Sequence, residues 1–259
     1  MAFSSNPVFN SDQYTETFTH SMAGTDTMTV KGTAIKTSFL VLLVVLAGAV
    51  PWSIIDPMKG LEGANMSAGY PWAIGGIIAS LVIGLVIFFS PRQATWAAPA
   101  YAIAEGFFVG AVSAIVQAQF MKAAPGIVFQ AVCLTFGTLF AMMTAYNMGL
   151  IKATEKFKAG MTAAVGAIFL VYIATWVLRF FGSDIPYIHG SGLIGIGFSV
   201  VVVIVATLCL VLDFDFIETG AQQGAPKYME WYGAYGLLVT LVWLYIEILK
   251  LLMKLTDRD

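Results

Sequence analysis

Val211-Leu212-Asp213-Phe214-Asp215-Phe216-Ile217-Glu218 places three acids at the end of an uncharged run that begins near Gly192 and is long enough to cross a bilayer. A fourth acid, Glu247, lies inside a second apolar stretch, Leu237 to Lys250. A carboxylate at such depth costs about 2.5 kcal/mol or more unless it is neutralised or partnered, so an acid inside a membrane span is read as a functional site. We expect the two acid groups to face one another and to form a proton-sensitive gate in a cation-passing membrane protein.

Composition points the same way. The 259 residues are 59% apolar and 11% charged, with a mean hydropathy of +0.83, whereas an ordinary soluble domain carries about 25% charge. A nucleic-acid-binding role is excluded on this balance, and the net charge of -2 says little about a chain that mostly meets lipid or itself. Cys133 and Cys209 both fall in apolar runs, which leaves no disulfide framework or zinc spacing. They read as packing residues.

Outward from the opening stretch, the apolar runs repeat. Candidate spans lie at about 36–55, 71–90, 95–120, 126–148, 160–181, 192–216 and 232–255, each near or above the ~20 residues that a helix needs to cross ~30 Å of hydrocarbon. They are apolar on every face rather than alternating, which excludes a strand barrel. The fold class is therefore an all-α membrane protein, a seven-transmembrane-helix bundle over residues 34–259. Residues 1–33 are polar and read as a solvated tail, and His20 within it has no ligand cluster around it. His189-Gly190-Ser191-Gly192 lacks the context of a nucleophile motif and reads as a loop.

Lys and Arg near the span ends set the expected orientation. An inside N-terminus collects Lys31, Lys36, Arg92, Lys152, Lys156, Lys158 and Lys227 on one side, against Lys59, Lys122 and Arg179 on the other; Lys250, Lys254 and Arg258 join the latter if the last span crosses fully, and a re-entrant last segment with its tail inside stays open. The third span carries Ala98, Ala102, Gly106, Gly110 and Ala114 at every fourth position, a small-residue stripe that allows another helix to come close. Beside it stands Glu105, which reads equally as a helix-locking acid and as part of an ion pathway.

Helical geometry turns Asp215 about 200° away from Asp213, so the two need different partners. On the last span, Thr240, Trp243, Glu247, Lys250 and Lys254 share one stripe, and a Glu247–Lys250 ion pair within the helix is the plainer alternative to a gate.

These residues resemble a known family. Leu212-Asp213-Phe214-Asp215-Phe216-Ile217, followed by Leu244-Tyr245-Ile246-Glu247-Ile248-Leu249, is similar to the last two helices of the Bax inhibitor-1 (transmembrane Bax inhibitor motif) family. There the sixth helix ends in a Tyr-Asp-like motif and the seventh reads Leu-Tyr-Leu-Asp-Phe-Ile-Asn. The likeness spans roughly residues 34–255, and Asn6-Pro7-Val8-Phe9-Asn10 with Met28 to Thr33 resembles a bacterial branch with an added N-terminal tail.

The resemblance implies a bundle with its seventh helix at the centre, mediating a pH-sensitive calcium leak rather than catalysis. Asp213 and Glu247 would share a proton and latch the pore, with Glu in place of the family's Asp at 247. Calcium, the transported ion rather than a bound cofactor, would be drawn to the deprotonated pair, with Asp215, Glu218 and Glu105 as further carboxylates on its path. Arg92 matches a family arginine latch only weakly. The implied setting is a multi-pass protein of the bacterial plasma membrane with a cytoplasmic N-terminus. Its partners would be lipid, calcium, protons and a membrane-bound ATP-dependent protease. Two other roles stay open: a regulator that binds such a protease or a stress or cell-death factor, and an intramembrane hydrolase using the two acids.

Overall fold

The structure, a computed structural model, describes residues 27–181 and 190–258. His20, His189 and most of the 1–33 segment lie outside the described residues. The side chain of Arg179 does as well.

Among the described residues, seven long helices follow in order: α1 Val30–Ile55, α2 Met66–Phe89, α3 Ala94–Gln119, α4 Ile127–Asn147, α5 Glu155–Phe180, α6 Leu193–Gln222 and α7 Met229–Thr256. All seven contain a stretch long and apolar enough to cross a membrane. With no water at that depth, backbone groups must bond within the segment, and the helix satisfies them. Large apolar side chains such as Leu81, Phe88, Leu170 and Val201 point outward. That suits a lipid surround, where apolar exposure carries no penalty.

The helix ends follow local chemistry. Thr29 caps α1 by accepting from the amide of Gly32 at 2.9 Å, so α1 begins at Val30, inside the segment read as tail. Asp56 ends it in the left-handed region (φ 52°), and Pro57 then bars continuation of the helix. Asn65 caps α2 through the amide of Ala68.

The small-residue stripe of α3 performs the packing expected of it. Ala98, Ala102, Gly106, Gly110 and Ala114 are all buried. A Cβ on Gly106 would come within 2.6 Å of the Val44 carbonyl, and one on Gly110 would overlap the backbone of Gly48. Across the other flank of α3, a Cβ on Gly76 of α2 would stand 2.6 Å from the Phe108 amide nitrogen. Glycine at these points lets α1 and α2 pack directly on α3.

Helix α7 is central, packing on α1, α3, α4 and α6. Leu238, Leu244 and Leu249 on it are almost fully buried. Helix α5 lies at the edge and packs mainly on α6.

Candidate acid sites along helices six and seven

The closing motif of α6 spreads its acids around the helix, as the spacing demands. Asp215 turns to α5, where Lys158 Nζ lies 2.9 Å away and also pairs with Glu155 at 3.3 Å. Glu218 accepts from the Tyr146 hydroxyl of α4 at 2.7 Å and from Gln222 at 3.2 Å. Asp215 and Glu218 share a polar cleft of about 390 Å³ with Tyr146, Asn147 and the Lys152–Thr154 connection. This cleft opens on the side of the bundle where α1 begins.

Asp213 points the other way, into the bundle. The Thr240 side chain of α7 lies beside its carboxyl, and Cys209 lies one turn before it. Its Oδ2 is buried and has no hydrogen-bond partner among the described residues.

Glu247 is 2% exposed and lies elsewhere. Its Oε1 accepts from the Tyr172 hydroxyl of α5 at 2.9 Å and from Lys250 at 3.0 Å. Lys250 also sits over the Tyr172 ring, 5.2 Å from its centroid. Two turns on, Lys254 reaches the Gly195 carbonyl and the Ser199 hydroxyl, both at 2.9 Å. These groups surround a cavity of about 240 Å³ at the far end of the bundle, which Asp257 also lines.

The expected short hydrogen bond between Asp213 and Glu247 is therefore replaced by two separate sites. The cause is register. Helices α6 and α7 run antiparallel, with Ile217 opposite Gly233, Asp213 opposite Thr240 and Ser199 opposite Lys254. Glu247 falls midway between Thr240 and Lys254, seven residues or about 10.5 Å along the axis from the level of Asp213. The intervening wall is apolar and buried: Ala206 and Leu210 on α6, Leu241 and Leu244 on α7. The ion pair between Glu247 and Lys250 within α7 is present.

Glu105 is 6% exposed and stands apart from both sites. Ser80 of α2 and Tyr101, one turn earlier on α3, lie beside its carboxyl, and the Tyr101 ring meets Tyr235 of α7 edge-on at 4.8 Å. The arrangement joins α2 to α3. Arg92 is exposed in the short turn Pro91–Gln93. Among the described residues, no three His, Cys, Asp or Glu side chains converge so as to hold a metal ion.

A further acid site, to which no motif in the sequence pointed, is the most completely satisfied among the described residues. Glu230, in the first turn of α7, is 0% exposed. It accepts from the Thr29 amide at 2.9 Å and hydroxyl at 2.8 Å, and it pairs with Lys36 and, at 3.3 Å, with Lys227. Gly32 makes room for it, since a Cβ there would overlap the carboxylate. The Met28 amide bonds the Ala225 carbonyl at 2.7 Å, and Thr27 bridges to Pro226. The start of α1 is thus strapped to the α6–α7 connection. Only the Lys227–Glu230 spacing hinted at this in the sequence, because its other partners come from some 200 residues away.

A family model described as Bax inhibitor 1 like matches residues 6–257 of the chain. No curated protein and no solved structure matches it.

Proposed function

The chain belongs to the Bax inhibitor 1 like family, and on that premise we propose that it is a proton-sensitive leak through which calcium crosses the membrane. The observation that carries the reading is the buried Oδ2 of Asp213, which faces α7 without a hydrogen-bond partner among the described residues. A lone ionised carboxylate in a low-dielectric interior is costly, and it is relieved by a proton or by a cation. Competition between the two at one carboxyl makes passage depend on pH.

The remaining acids supply the approaches. Asp215 and Glu218 in the polar cleft gather cations at one face, with oxygen ligands of the kind a hard divalent ion prefers. Glu247 serves the opposite end. Between Asp213 and Glu247, the apolar wall of Ala206, Leu210, Leu241 and Leu244 is a dewetted constriction of the sort that closes channels. Opening requires α6 and α7 to part along that wall, and charge on Asp213 favours it by drawing water to the contact.

Hydrolysis by paired acids is the weaker reading, because one water would have to meet two carboxyls that stand two turns apart on the α6–α7 contact. The deciding experiment is calcium flux into liposomes holding only the purified protein. Flux that varies with pH and falls in Asp213→Asn is the expected result. Sealed liposomes at every pH would overturn the leak and favour the second role, a regulator that binds a membrane-anchored ATP-dependent protease.

A further inference from the structure

Helices α1 and α4 stand on either side of a groove of about 390 Å³ whose floor is formed by α3 and α7. The groove opens sideways, since Val45 and Val132 on its two walls are 61% and 36% exposed. Both walls belong to membrane-crossing helices, so the opening faces the bilayer interior rather than water.

The chemistry of the lining selects an apolar occupant. The hydroxyl groups of its lining are already satisfied by one another or by the backbone. The Ser113 and Tyr245 hydroxyls lie 2.6 Å apart, and Ser113 and Thr135 also bond the Val109 and Ala131 carbonyls, at 2.6 and 2.8 Å. A water molecule needs two to four polar partners to stay in such a space, and none of these groups calls for one.

The dimensions narrow the occupant further. Along α1 the groove runs from Val41 to Trp52, eleven residues or about 16 Å, which matches half of the ~30 Å hydrocarbon thickness. Trp52 marks its outer end, at the level where amphiphilic aromatics meet headgroups. The groove thus reaches from mid-bilayer to one interface, on the side remote from the start of α1.

We propose that this groove holds one acyl chain of a phospholipid from that leaflet, seated on α7 through Leu238, Leu241 and Tyr245. The site is independent of the acid sites and stands whether or not the protein conducts ions. The floor residues are already packed by protein, Leu238, Leu241 and Tyr245 being buried, so the acyl chain covers the exposed walls, Val45 and Ala49 of α1 and Val132 of α4.

The test is native mass spectrometry of the full chain, released from bilayers made of a single synthetic phosphatidylglycerol. Wild type and the outward-facing control Leu81→Trp should retain one lipid per chain. Ala49→Trp and Val132→Trp, which fill the groove from its exposed walls, should reduce occupancy about tenfold. Equal retention in all four proteins would overturn the proposal, and so would a retained mass of detergent or free fatty acid. A second measurement needs no bulky variant. Phospholipid brominated at mid-chain should quench wild-type fluorescence more than that of Trp52→Phe, and equal quenching would also overturn the site.

Discussion

The Tyr172 hydroxyl donates to Glu247 across 2.9 Å and so ties α5 to the central helix, although α5 otherwise packs mainly on α6. A hydrogen bond to a charged group contributes about 1.5–3 kcal/mol, a large share of what can hold an edge helix. Tyr172→Phe should therefore loosen α5 while leaving the rest of the bundle folded. Hydrogen exchange should quicken in α5 amides near residue 172 and stay unchanged in α3 and α7. Unchanged protection of α5 in the variant would show that its packing on α6 holds it without the Tyr172 bond.

Asp213 and Glu247 occupy different levels of the α6–α7 contact, which fixes how their variants combine. Groups about 10 Å apart with no shared partner act independently, and their free-energy effects add. In the calcium-flux assay, Asp213→Asn and Glu247→Gln should each change the pH profile, and the double variant should show the product of the two changes. A double variant no different from either single would mean that one shared proton governs both acids.

Glu230 offers a sharper stability test. Removing one partner from a buried ion pair costs about 3–5 kcal/mol, because the other charge is left uncompensated. Glu230→Ala should lower the thermal midpoint strongly, with Lys36, mostly buried beside the Trp231 ring, left without its counter-charge. Gly32→Ala should do nearly the same, since its Cβ takes the place of the carboxylate. Combining the two should add little beyond either alone. Additive losses in a double-variant cycle would separate Gly32 from the Glu230 site.

Gly110 and Gly48 meet backbone to backbone, so a side chain at either must push α1 from α3. Overpacking of this kind costs about 1–3 kcal/mol or more. Gly110→Leu should lower the thermal midpoint in detergent, whereas Gly137→Leu on α4, where a Cβ meets open space, should be tolerated. Equal tolerance at both positions would remove close approach as the reason for glycine in α3.

Seven crossings bring residues 90–93, 148–154 and 223–228 to the side on which α1 begins. Cysteines placed at Arg92, Lys152 and Gln223 should react with a membrane-impermeant thiol reagent from that side only, and those at Lys59 and Lys122 only from the other. Labelling of Lys152 and Lys122 from one side would break the count of crossings.

Much of this was legible in the residues alone. Apolar runs of some twenty residues have one stable form in lipid, so the seven helices followed from hydropathy, and the four-residue spacing of Gly106 and Gly110 announced a close helix contact on α3, though not that α1 makes it. Within α6, spacing also separated Asp213 from Asp215. The failure came between helices. Whether Asp213 meets Thr240 or Glu247 depends on where α7 begins relative to α6, a shift of two turns that no pattern within either helix encodes. Glu230 was missed for a related reason: its partners Thr29, Gly32 and Lys36 are ordinary residues until the fold assembles them.

The strap between Thr29 and Glu230 joins positions 201 residues apart, and this has a meaning during biosynthesis. At 5–20 residues per second, Glu230 leaves the ribosome about 10–40 s after Thr29. For that interval α1 waits with Lys36 lacking its counter-charge and with the central helix still missing. A nascent chain cut short before residue 230 can never close the strap, so the first helix reaches its final contacts only when the last one arrives.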